Sequence, residues 1–212
     1  MTEITSARLV TMFGKIAERI EAEKDRLCAL DGVIGDADHG IAMSLGFSAA
    51  RDAVSALDPA ADPTTVFNTA AKSFLNAVGA SSGPLYATAF MRAGAAVKGK
   101  SALTDADFVA AFQATAKGIQ DRGKAERGEK TMVDAWAPAA DAAGERFAAG
   151  GDLAASLAAA VEAAKAGAEA TKNMVAAKGR AERLGERSLG HMDPGAASAM
   201  VVIEAMREGV AG

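Results

Sequence analysis

Three aspartates, Asp31, Asp36 and Asp38, fall close together in the stretch LDGVIGDADHG, beside His39. Gly32 and Gly35 let the backbone fold tightly there, so the three carboxylates can converge on one point, and converging carboxylates need a cation. An all-oxygen ligand set suits magnesium, which keeps part of its water and completes its octahedron with phosphate oxygens. The spacing is not that of a calcium-binding EF-hand loop, which needs regularly spaced ligands and a closing glutamate. Taken singly, each acid is more commonly an ordinary loop residue, and Asp38 a helix N-cap. Three together, next to a histidine, favour the metal.

Other segments carry groups that suit phosphate. Gly79-Ala80-Ser81-Ser82-Gly83-Pro84 opens directly into a helix, where backbone amides and the positive end of the helix dipole can receive an anion. Alone it would be a common turn. Asp193-Pro194-Gly195 repeats the arrangement before the last helix. Arg180, flanked by Gly179, is the best candidate for a guanidinium on phosphate, whereas Arg183 and Arg187 have the acidic neighbours Glu182 and Glu186. The bland reading of all three arginines is a solvated stripe. His39 and His191 both lie in these loops, with ligand contact and loop stabilisation open for each. Gly118 to Lys124 has P-loop spacing, but Ala125 stands where Ser or Thr is needed and a helical pattern precedes it, so a P-loop fold is rejected. Cys28 lies near the end of the first helix, with no Cys–His pairing in view.

The elements that must position these groups read as helices throughout. Leu9, Phe13, Ile16 and Ile20 share one face of a first helix from about Thr5 to Leu30. Further helical stretches cover about 40–57, 64–78, 84–98, 105–120, 131–148, 152–176 and 196–209, with Thr64, Thr104 and Asp152 as N-caps and Pro84 in a first turn. Short connections imply antiparallel neighbours, so alternate loops share an end. The loops after helices two, four and six (LDPAADPT, KGKSALTD, AGGD) hold ordinary turn and capping residues. Those after one, three, five and seven hold the aspartates, GASSGP, DRGKAERGEK and KGRAERLGERSLGHMDPG. A bundle with one plain and one elaborated end is what a single ligand site built from four connections requires.

The chain of 212 residues suits one domain, 1–212, and its abundant alanine and scarce aromatics favour closely packed helices. A net charge of −4 argues against a nucleic-acid or anionic-membrane surface. The single cysteine and the lack of a signal stretch or a long apolar run point to a cytoplasmic protein without membrane segments.

The four motifs LDGVIGDADHG, AVGASSGPLYATAF, RGKAERGEKTMVDAW and KGRAERLGERSLGHMDPGAAS, in this order, closely resemble the L-subunit family of dihydroxyacetone kinases. The likeness spans nearly the whole chain. It implies an all-α, eight-helix antiparallel up-and-down bundle closed as a barrel, with a nucleotide, ADP or ATP, and two magnesium ions at one end. By resemblance, Asp31, Asp36 and Asp38 are the magnesium ligands. His39 with the following Gly40, Ile41 and Ala42, then Ser81, Ser82, Gly123, Met132, Arg180, Asp193, Pro194 and Gly195, contact the nucleotide. Ala42 replaces an asparagine found in many members, Ala80-Ser81 stands where Gly-Ala is common, and Arg183 and Met192 also depart from the usual pattern. The resemblance further implies phosphoryl transfer to a small ketose, dihydroxyacetone or a relative such as erythrulose, held by a separate K subunit. In some members the phosphate comes from a phosphotransferase-system protein, in others from exchangeable ATP. A rival reading is a regulatory protein that senses nucleotide state. A purely structural bundle leaves the alternate-loop pattern unexplained.

Overall fold

The computed structural model describes residues 3–211. Among them the chain forms eight α-helices: α1 (Ser6–Ile34), α2 (His39–Ser55), α3 (Pro63–Ala77), α4 (Ser82–Ala96), α5 (Asp105–Gly123), α6 (Val133–Ala148), α7 (Leu153–Ala170) and α8 (Pro194–Ala211). Short 3-10 segments lie at Thr171–Asn173 and Arg180–Ser188. Each helix packs on its neighbours in sequence, and α8 returns to α1, so the ring is closed. Ile4 and Leu103 exchange backbone hydrogen bonds of 2.9 Å, an isolated bridge rather than a strand. No helix among the described residues is long and apolar enough to cross a membrane.

The four helices that start at the plain end are capped by their own N-cap side chains. Thr5, Asp62, Thr104 and Asp152 accept from the amides of Arg8, Thr65, Asp107 and Ala155. Thr104 and Asp107 form a full capping box. Thr64, expected to cap the third helix, lies inside it instead. Pro63 is pre-set for the first helical position, which moves the cap back to Asp62, and the Thr64 hydroxyl donates to the Gly94 carbonyl at 3.2 Å. Two other boundaries move. The first helix runs past Leu30 to Ile34, placing Asp31 on its last turn. The seventh stops at Ala170, where the Thr171 hydroxyl turns back to the Ala168 carbonyl at 2.6 Å.

Most of the few aromatics are buried in the core. Phe13, Phe47, Phe74, Tyr86 and Phe90 are fully buried, and Phe13–Phe90 and Phe47–Phe74 meet edge-to-face with centroids 5.2 and 5.0 Å apart. Around them small residues let helices approach. At Gly46 an added Cβ would run into the Phe74 ring, so the contact of α2 with α3 depends on that missing side chain. Gly46→Ala should therefore cost about 1–3 kcal/mol through overpacking. A chemical-denaturation series should record it as a lower midpoint with an unchanged slope.

Candidate functional site

At the other end of the ring a cleft of about 620 Å³ opens between the four elaborated connections. Each contributes: Asp36 and Asp38 after α1, Ala80 and Ser81 after α3, Ala125, Lys130 and Thr131 after α5, and Lys178, Gly179, Arg180 and Asp193 after α7.

The acids are built around Asp31, which is buried on the last turn of α1. One of its oxygens, Oδ2, accepts from the amides of Asp38 at 3.0 Å and His39 at 3.2 Å. Asp31 thus does at the start of α2 what a capping side chain would do, while Asp38, at the N-cap position, makes no capping bond. Gly35 makes this possible, because a Cβ there would overlap the Asp31 carboxylate. Ala37 takes a left-handed conformation, φ 63°, a strained one for alanine, and so turns Asp36 and Asp38 back toward Asp31. Ligand oxygens of the three lie within 4.8 Å of one another. The Asp38 carboxyl is held above the usual aspartate range by burial first, then by the charges of Asp36 and Asp31. Arg180 pairs with Asp36 at 2.8 Å and pulls the other way. Three crowded oxygen donors, one anchored by amides and none committed to a lysine, fit a hard divalent cation.

The helix N-termini at this end differ from those at the plain end. Asp31 serves α2, the Thr131 hydroxyl accepts from Val133 at the start of α6 (3.1 Å), and Asp193 accepts from Ala196 at the start of α8 (2.7 Å). Only α4 among the described helices begins with no capping side chain, since Ser81 makes no such bond. Its first turn, with Ser81 and Ser82, faces the cleft, which leaves the positive end of that helix to a ligand.

Lys130 was not singled out from the sequence. It is almost fully buried with φ 61°, and its Nζ donates to the carbonyls of Thr171 and His191. One side chain therefore joins the connections before α6 and on both sides of the Arg180–Ser188 segment. Burial lowers its pKa, opposed by Asp193 and Asp134. Asp134 accepts from Thr131 at 2.8 Å and from the Gly128 amide, and Thr171 accepts from the Asp193 amide at 2.9 Å. Nothing in a lone loop lysine marks it in the sequence as a buried staple. Leu85 and Ile119, which line the apolar side of the cleft, look in sequence like any other core position.

Of the residues assigned from the sequence, Asp31, Asp36, Asp38, His39, Ala42, Ser81, Ser82, Gly123, Met132, Arg180, Asp193, Pro194 and Gly195 all line the cleft. Gly40 and Ile41 do not. Gly40 faces α1, where a Cβ would collide with the Lys24 carbonyl, and Ile41 is half exposed on the outer surface. His191 contributes its carbonyl to Lys130 and is itself exposed. Arg183 reaches the cleft and Arg187 does not.

A closed all-α ring whose one end gathers carboxylates, an uncapped helix start and basic loops defines a narrow class of domain. Residues 33–208 match the DAK2 domain, and the chain belongs to that family. It is 43% identical over 190 residues to the ADP-binding subunit DhaL of a PEP-dependent dihydroxyacetone kinase from Listeria innocua, covering 89% of each chain. To the corresponding ADP-binding subunit from Escherichia coli it is 36% identical over 201 residues, 95% of each. Its fold matches the crystal structure of the dihydroxyacetone kinase from C. freundii in complex with AMP-PNP and Mg2+, with a TM-score of 0.74 and 26% identity, over 98% of this chain and 35% of that one.

Asp193 yields a pH prediction. Burial pushes its carboxyl up to about 7, against the Ala196 amide and Lys130, which favour the charge. Below the unfolded-chain pKa neither state is ionised and nothing is lost. As pH rises toward 7 the unfolded chain ionises before the folded one, so stability falls, and above 7 the loss is complete. Asp193→Asn keeps a capping oxygen without the titration. Its melting temperature relative to the parent should rise by a few degrees between pH 5 and pH 8 in nucleotide-free buffer. A constant difference across that range would contradict the burial of this carboxyl.

Proposed function

We propose that this chain is the nucleotide-holding subunit of a dihydroxyacetone-kinase-type phosphotransferase. It binds ADP or ATP with two magnesium ions and passes phosphate to a small ketose held by a separate K subunit. The observation that carries this reading is the placement of three crowded carboxylates and the uncapped start of α4 in one cleft. A polyphosphate with its cations satisfies both. The apolar flank of Leu85, Ile119 and Met132 is suited to a base.

Phosphoryl transfer asks for positioning and charge neutralisation more than for covalent help from the protein. Magnesium, when bound, neutralises phosphate oxygens and clamps them in place. Asp31, Asp36 and Asp38 would hold it, with Asp31 fixed by two amides and the other two free to adjust. The α4 amides with Ser81 and Ser82 orient the phosphates, and Arg180 adds a movable positive charge at the exposed edge of the cleft. These groups serve the cations and the phosphates, and the ketose, with the group that deprotonates it, is assigned to the partner. Exposed apolar residues at this end support a partner there. Val33 ends α1, Ile41 and Leu45 begin α2, and Leu75 ends α3, each about half exposed. The subunits from Listeria innocua and Escherichia coli are ADP-binding and PEP-dependent, which favours ADP kept as a coenzyme and recharged by a phosphotransferase-system phosphocarrier. The partner, rather than this chain, sets whether dihydroxyacetone or a ketose such as erythrulose is used.

Coupled assays of this chain, a cognate K subunit and their mixture test the reading, with ATP and with phosphorylated carrier as donors. Turnover of dihydroxyacetone is expected only in the mixture. Asp38→Ala should reduce it to background and remove Mg·ADP binding in calorimetry while leaving helical circular dichroism intact. Turnover by this chain alone, or full Mg·ADP affinity in the variant, would defeat the proposal.

A further inference from the structure

Behind the cleft, a line of polar side chains crosses the otherwise apolar core, with one residue from each of the four helices that start at the site end. Trp136 lies on α6, Tyr86 on α4, Ser198 on α8 and His39 on α2. The first three are completely buried. Trp136 Nε1 donates to the Tyr86 hydroxyl at 3.4 Å, the Ser198 hydroxyl donates to the Gly195 carbonyl at 3.0 Å, and His39 Nε2 lies 2.8 Å from Ser198 Oγ.

The directions in this line can be assigned by counting hydrogens. An indole N–H only donates, so the Tyr86 oxygen accepts from Trp136. A hydroxyl has one hydrogen. If Ser198 gave it to His39, the 3.0 Å approach to the Gly195 carbonyl would set lone pair against lone pair in a buried site. Given to Gly195, it leaves Ser198 with lone pairs alone, and Nε2 of His39 must supply the hydrogen between them. Every contact is then a hydrogen bond.

We infer that Ser198, its hydrogen committed to the Gly195 carbonyl, holds His39 in the Nε2–H form, so that Nδ1 is left to the cleft as a bare lone pair that accepts from an O–H donor of the bound ligand. No protein group among the described residues bonds to Nδ1, and His39 lines the cleft. Ser198 is thus a positioning residue acting through His39. A phosphate oxygen has no hydrogen to give Nδ1, whereas a ribose hydroxyl or a water held on a cation has one. The last step, and only that step, rests on the nucleotide reading above.

Nitrogen NMR of the full chain labelled with 15N-histidine reads this directly, since the chain has two histidines and His191→Gln assigns them. In the nucleotide-free protein, His39 should show a protonated Nε2 and an unprotonated Nδ1, while exposed His191 shows the averaged pattern of an unconstrained ring. Ser198→Ala should move His39 toward that average and weaken Mg·ADP by roughly 2- to 10-fold, the worth of one hydrogen bond. Tyr86→Phe, which leaves the Ser198 hydroxyl in place, should keep the Nε2–H form and serves as the control should Ser198→Ala unfold. A protonated Nδ1 in the parent, or a His39 signature averaged in the parent or in Tyr86→Phe, overturns the assignment, whether or not nucleotide binds. Mg·ADP should then shift Nδ1 and leave Nε2–H unchanged. A shift already produced by magnesium alone assigns the donor to metal-held water, and one produced by adenosine in chelator assigns it to a ribose hydroxyl. An Nδ1 that Mg·ADP leaves unmoved or converts to N–H overturns the acceptor role.

Discussion

Alternation of direction in a closed ring of eight helices puts the N-termini of α2, α4, α6 and α8 at the same end, and with them four positive dipole ends and four sets of unpaired amides. Much of the chemistry at that end answers this one constraint. Asp31, Thr131 and Asp193 supply acceptors to three of the four helix starts, and each of these residues also lines the cleft. The fourth start, at α4, is left bare, and the carboxylates of Asp36 and Asp38 crowd against Asp31 in the same cleft. Unpaired amides and excess carboxylate in one cleft are suited to a cation and a phosphate together. Neither alone would balance it.

The connections that carry these groups have little regular structure of their own, so they are tied to one another. Lys130 bonds two carbonyls that flank the Arg180–Ser188 segment, the Ala177 amide reaches the Glu129 carbonyl at 3.2 Å, and Thr171 holds the Asp193 amide. Ile34, Ala176, Ala181 and Leu184 form a small apolar cluster apart from the main core. That cluster seats the Arg180 segment on the end of α1, beside Asp36, with which Arg180 pairs. The segment is therefore held by a few local contacts rather than by the barrel. Regions held in this way open at a lower free energy than the core does.

Much of this was legible in the sequence. Helix periodicity and loop length are local signals, and they yielded the eight helices, their alternation and the contrast between plain and elaborated ends. Capping geometry was harder to read. A proline at the first helical position displaced the cap of α3 from Thr64 to Asp62, and the apolar periodicity of the first helix stops short of Asp31, which leaves that residue among the loop acids. In the fold α1 continues through Gly32 and uses Gly35 to make room for the Asp31 carboxylate. Gly40 and Ile41 were assigned to the site with their neighbours because sequence adjacency cannot say which side of a helix faces a cleft. One turn of α2 places His39 and Ala42 inward and turns Gly40 onto α1. Lys130 and Ser198 were invisible for a different reason. Their partners stand 41 to 159 residues away, and only the closed ring brings them together.

The central claim is that Asp31, Asp36 and Asp38 form a cation site that a nucleotide completes. Manganese substitutes for magnesium on oxygen ligands and scatters anomalously, so a crystal grown with Mn2+ and ADP locates the ion without reference to activity. The account predicts anomalous density among the three aspartates, bridging to ADP phosphates at the start of α4, and no such density in crystals of Asp38→Ala. Manganese bound elsewhere with this cluster empty, or ADP seated outside the cleft, would contradict it.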